Sequence, residues 1–168
     1  LRFNDDDTAY LSRTPSTAGN QKTWTWSAWI KTTAQNNGQT ALFSARSSST
    51  DQFHIWLSNG QLDIEAGGGF GRLSSSASYR DPSDWYHLCV VLDATNGTTA
   101  DKCRAYVNGV RVTDWSSTTN FSDRDYGVNS SIEHALGKQA TQVQYIDAYM
   151  AEVNFVDGQA LTPSDFGE

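Results

Sequence analysis

Apolar and polar residues alternate along most of this chain, and turn dipeptides break the alternation at short intervals. Over residues 23–31, Trp24, Trp26, Ala28 and Ile30 fall on one side and Thr23, Thr25, Ser27 and Trp29 on the other. A period of two describes a strand with one bulky face. Residues 53–58 and 61–66 flank Asn59-Gly60, and residues 102–107 and 110–112 flank Asn108-Gly109. Asn-Gly between alternating apolar residues marks a two-residue hairpin, because both turn positions need φ > 0. Further strands are predicted over residues 9–11, 40–45 (after a turn at Asn36-Asn37-Gly38), 73–79, 85–93, 132–137 and 143–155. Asp81-Pro82-Ser83-Asp84 reads as a turn. Residues 161–166 start a short helix with Thr162 as N-cap and Pro163 at N1. No long helical periodicity, linker or internal repeat is present.

Turn register assigns faces. Pairing 58 with 61 sets Phe53, Ile55, Leu57, Leu62, Ile64 and Ala66 together as a core face. His54, Trp56, Ser58, Gln61, Asp63 and Glu65 then share the opposite face. In the second hairpin Cys103, Ala105, Val107, Val110 and Val112 read as core, and Lys102, Arg104, Tyr106, Arg111, Thr113 and Trp115 point outward. Sheets that are apolar on one side only must pack in pairs, so the pattern predicts an all-β antiparallel sandwich or jelly roll.

Composition narrows the picture. The 168 residues fit one domain, expected over 1–168. A net charge of −7 leaves no basic footprint for nucleic acid. No apolar run is long enough for membrane insertion. The chain begins Leu-Arg-Phe and its only Met is Met150, so a processed protein or a domain excised from a longer chain is expected. Cys89 and Cys103 lie on neighbouring predicted strands; a disulfide and two buried thiols both fit at this point.

The outer face of the first hairpin is the leading candidate for chemistry. Trp56 offers a ring for the apolar side of a pyranose, and His54, Asp63 and Glu65 offer hydrogen bonds to its hydroxyls. Rim loops carrying Arg80, Trp115, Asp123, Asp125 and Tyr126 are the second candidate. For calcium, hard oxygen ligands cluster at Asp5 and Asp7 and at Asp123 and Asp125. There is no Gly-x-Ser-x-Gly, no His pair with metal spacing and no phosphate loop.

The segment Trp85-Tyr86-His87-Leu88-Cys89-Val90-Val91-Leu92-Asp93, followed by Ala105-Tyr106-Val107-Asn108-Gly109-Val110, resembles the laminin-G/concanavalin A-like lectin superfamily. The opening Leu1 to Pro15, the block Lys22 to Lys31 and the close Ala151 to Glu168 are similar to its branch in tail-fibre and structural proteins of marine bacteriophages and their hosts. This resemblance implies a concanavalin A/laminin-G jelly roll and a non-catalytic, lectin-like module. Its expected partners are host-surface polysaccharide and other virion chains, with a homo-oligomer allowed, and its expected location is the virion or the extracellular space. The alternative is a structural or decoration domain that binds no sugar. Gln61-Leu62-Asp63-Ile64-Glu65 resembles the Glu-x-Asp-x-Glu catalytic strand of laminarinase- and lichenase-type hydrolases, but Gln61 stands where the nucleophile belongs. In relatives with an edge calcium the closing strand carries an Asp where this chain has Ala151, with Asp147 nearby.

Overall fold

The computed structural model describes residues 1–32, 39–142 and 144–167. In chain order its strands are β1 (Arg2–Phe3), β2 (Leu11–Arg13), β3 (Thr23–Thr32), β4 (Gln39–Arg46), β5 (Gln52–Ser58), β6 (Gln61–Ala66) and β7 (Gly71–Ser78). They continue as β8 (Tyr86–Asp93), β9 (Cys103–Val107), β10 (Val110–Arg111), β11 (Trp115–Thr119), β12 (Glu133–Leu136) and β13 (Ala148–Asp157). One sheet runs β1-β13-β3-β8-β9-β10 and the other β11-β7-β6-β5-β4-β12-β2, with every pairing antiparallel.

Both Asn-Gly hairpins form with the predicted register. Ser58 faces Gln61, Ile55 faces Ile64 and Phe53 faces Ala66. Asn59 and Gly60 have φ of 49° and 82°, and Asn108 and Gly109 of 48° and 75°, the left-handed values a type I′ turn requires. The core lies between the sheets, where Trp24, Trp26, Ala28 and Ile30 of β3 meet Phe53, Ile55, Leu62 and Ile64. Trp24 meets Phe53 edge-on, with ring centroids 5.0 Å apart.

Neither outer face is bare. On the six-stranded sheet, Thr25 Oγ1 donates to the Gln159 carbonyl at 2.8 Å and accepts from the Leu161 amide at 2.9 Å. The C-terminal stretch thereby covers Thr25, and Ser27 and His87 are buried as a hydrogen-bonded pair (Oγ···Nε2 2.7 Å). The stretch ends in a 3₁₀ turn, Pro163–Phe166, with Thr162 and Asp165 forming a capping box. On the seven-stranded sheet, Ser44 Oγ donates to the Lys138 carbonyl at 2.8 Å and accepts from the Ala140 amide at 2.7 Å. The segment after β12 is thus fastened over β4 and β5.

Several expectations change. The first predicted strand shifts to Leu11–Arg13, and β1 and β11 are additional strands. The last strand starts at Ala148; Val143 and the turn at Asn36-Asn37-Gly38 lie outside the described residues. Val110 is exposed, not core, because β10 is a two-residue edge. Trp115 leaves the second hairpin's outer face: it starts β11 on the opposite sheet and packs against the core. The cysteines are free. Cys103 pairs with Leu92, three residues along β8 from Cys89. That spacing is about 10 Å along a strand, beyond the roughly 7 Å between Cα atoms that a disulfide spans.

Candidate functional site

Strand register gathers the first candidate group as expected. His54 lies opposite Glu65, and Trp56 opposite Asp63, on the outer face of β5 and β6. Burial changes what they can do. A stacking platform needs an open ring face, and Trp56 is only 4% exposed, its ring 4.4 Å from that of His54. The reading of Trp56 as an exposed platform is therefore corrected. His54 is buried as well, with Gln139 Nε2 at 3.3 Å from its Nε2. Burial, reinforced by the Arg46 charge, lowers its pKa to about 4, so it is a neutral imidazole at neutral pH.

Asp63 is buried and committed internally. Arg72 of β7 donates to it from Nη2 (2.9 Å) and Nε (3.2 Å), and Ser74 Oγ donates to the same carboxylate. Such a bidentate charge-assisted pair fixes the guanidinium plane. Arg72 Nη1 lies 4.0 Å from Glu65 Oε2. Partial burial raises the Glu65 pKa, opposed by Arg72 and helped by Asp63. Unlike Trp56 and His54, these two remain reachable: the Arg72 side chain is 43% exposed and that of Glu65 27%. Register extends the row from Glu65 and Arg72 to Thr119, and from Asp63 and Ser74 to Ser117. Gln61 Nε2 donates to the Ser75 carbonyl at 2.6 Å, so the position of the missing nucleophile is an engaged carboxamide.

Sequence reasoning missed Arg72. Its one signal is the spacing across the glycine loop 67–71, which sets Arg72 opposite Glu65. That loop gives no register without knowing that Gly68 and Gly69 have φ of 70° and 76° and that residues 67–69 form a 3₁₀ turn.

The rim group is not brought together as one site. Arg80 is exposed and donates from Nε to the Asn59 carbonyl at 3.1 Å. Tyr126 is core: it is buried, and its hydroxyl bonds the Phe70 and Ser122 backbone. Its reading as a rim ligand contact is corrected by that burial. Asp123 is exposed and paired to Lys22 Nζ at 2.9 Å, which lowers its pKa. Asp125 is exposed beside it in sequence.

For calcium, Asp5 meets Asp147 across the chain, the Asp5 amide donating to Asp147 Oδ1 at 2.9 Å. Desolvation and the Asp147 carboxylate raise the Asp5 pKa. Asp7 accepts from Asn4 Nδ2 at 2.8 Å. Calcium takes about six to eight oxygens, and among the described residues no three His, Cys, Asp or Glu side chains gather at one point.

Two antiparallel sheets packed face to face around an aromatic core define a jelly-roll sandwich. The chain belongs to the concanavalin A-like lectin/glucanases superfamily, whose sequence profile matches residues 4–165. No curated protein of comparable sequence was found. Among solved structures, domains LG4-5 of the mouse laminin α1 chain align with a TM-score of 0.65 at 16% identity, over 96% of this chain and 44% of that one. The SAP-like pentraxin of Limulus polyphemus aligns at 0.63 and 15%, over 93% and 72%. The CBM40 module of a Ruminococcus gnavus IT-sialidase, solved with α2,3-sialyllactose bound, aligns at 0.61 and 17%, over 94% and 95%.

Proposed function

We propose that this chain is a non-catalytic carbohydrate-binding module, and that its glycan contact is the uncovered half of the seven-stranded sheet's outer face, around Glu65 and Arg72. The observation that carries this reading is their pairing: a half-exposed guanidinium, locked by buried Asp63, stands beside an accessible carboxylate. Vicinal sugar hydroxyls both donate and accept, so they are matched by a fixed donor and a fixed acceptor side by side. Ser117 and Thr119 extend the polar surface. Support also comes from the fold relative bound to sialyllactose. The similarity of the sequence blocks to virion proteins makes host-surface polysaccharide the expected target and the virion or extracellular space the expected location.

A glycan array, run with calcium and again with EDTA, tests this. We expect hits that survive EDTA and are lost in Glu65→Ala. A folded wild type with no hits would overturn the reading. It would favour the second one, a spacer domain between virion chains, for which the exposed side chains of Tyr10, Leu11, Trp85 and Val110 speak; a stable trimer in light scattering would support that alternative.

A further inference from the structure

On the side of the sandwich away from β11, the two sheets part. A cleft of about 600 Å³ opens between β2 and β12 on one wall and β13 on the other, within the range of small-ligand sites. Trp26 and Phe43 form its floor, their rings stacked at 6.2 Å. Phe155, 38% exposed, stacks on Phe43 at 6.1 Å and leaves ring surface open to the cleft. A close-packed core does not leave such a gap between aromatic walls without a loss of contacts.

The polar groups of this cleft are of two kinds. His134 is spoken for: its Nδ1 bonds the Ile132 carbonyl at 2.9 Å and its Nε2 accepts the Asn129 amide at 2.8 Å. Burial lowers its pKa, and an Nε2 that accepts an amide N–H carries no proton of its own. The others have capacity left. Trp26 is buried, and its indole N–H has no hydrogen-bond partner among the described residues. Arg13 is exposed and forms no ion pair among the described residues. Opposite, Asp157 Oδ1 accepts from the Asn20 amide (2.9 Å) and Asn129 Nδ2 (2.7 Å), which orients the carboxylate and leaves Oδ2 to accept from a ligand hydroxyl.

From this arrangement we infer a second ligand site, in the cleft, for a carboxylate-bearing pyranose such as a uronic acid residue. Arg13 pairs with the sugar carboxylate in the bidentate geometry guanidinium favours. Phe155 stacks on the apolar ring face. Asp157 accepts ring hydroxyls. Without Arg13, a chain of net charge −7 has no means of attracting an acid here. The sugar half of this inference rests on the carbohydrate-binding reading; the location and the acid do not.

The test titrates trigalacturonate and a neutral galactotriose into wild type, Arg13→Ala, Phe155→Ala and Glu65→Ala by calorimetry. The indole N–H resonance of Trp26, assigned with Trp26→Phe, is followed by NMR. We expect wild type to bind the acid and not the neutral trimer through this site, with the Trp26 resonance moving. Arg13→Ala should weaken that binding at least about tenfold, with Phe155→Ala also weaker. Acid binding indifferent to Arg13→Ala, or no acid binding at all, overturns the cleft proposal. If array hits vanish in Glu65→Ala while the cleft variants do nothing, the sheet-face reading stands alone. If uronate binding needs Arg13 and no glycan responds to Glu65→Ala, the cleft stands alone.

Discussion

Trp56→Ala distinguishes a core residue from a binding platform. The ring is buried against His54, and burying an aromatic side chain removes about 150–250 Å² from water. At about 25 cal/mol per Å² that is roughly 4–6 kcal/mol, an upper bound because the unfolded chain is already partly compact. One effect works the other way. The Trp56 indole N–H is buried without a partner among the described residues, and removing such a group relieves about 1–3 kcal/mol. The net expectation is a loss of about 2–4 kcal/mol, at the lower side of the roughly 3–5 typical of Trp→Ala in cores. In urea, with a slope of about 2 kcal/mol per molar, the unfolding midpoint falls by about 1–2 M. Trp56→Phe keeps most of the ring and drops the unpaired donor, so it should cost about 1 kcal/mol or less. Trp85→Ala is the control: Trp85 is 41% exposed, and its loss should stay within about 0.5 kcal/mol. A Trp56→Ala midpoint no lower than that of Trp85→Ala, together with lost glycan binding, would refute the burial argument and restore the platform.

Other consequences follow from the same structure. His54 is held neutral, with its pKa lowered to about 4 from an ordinary 6.5. The unfolded chain therefore takes up a proton first as pH falls, and stability is lost between about pH 6.5 and 4, by up to about 3 kcal/mol. His54→Gln should flatten that part of the urea-midpoint profile, and an unchanged slope would show that His54 is solvated. Burial pushes the Cys89 thiol up to about 12 and that of Cys103 further in the same direction. Neither should react with a disulfide reagent in the native state at pH 8, and both should after unfolding; rapid native labelling would contradict the packing. Gly137 has φ of 78°, and a Cβ there would meet the Phe3 ring at 2.4 Å, so Gly137→Ala should lower stability by more than about 1 kcal/mol in thermal unfolding.

The alternation of apolar and polar residues was enough to determine the sandwich, the two hairpins and the inward face of β3. Side-chain direction in a strand follows parity, and an Asn-Gly turn fixes which parities meet. It also brought His54, Trp56, Asp63 and Glu65 to one face. Parity cannot say what lies over a face. Trp56 and His54 read as outward and are outward, yet they are buried, along a sheet where residues 138–140 pin back onto Ser44 through contacts more than ninety positions apart. Tyr126 went to the core for the same reason, since a loop aromatic has no periodicity to betray its side, and Trp115 moved to the edge of the opposite sheet, packed against the core. Arg72 became visible only when the glycine loop fixed the β6–β7 register. The cleft at Arg13, Phe155 and Asp157 joins residues from both ends of the chain. Local pattern decided which residues share a strand face; only the packing of the two sheets, and of the segments laid over them, decided which of those faces meet water.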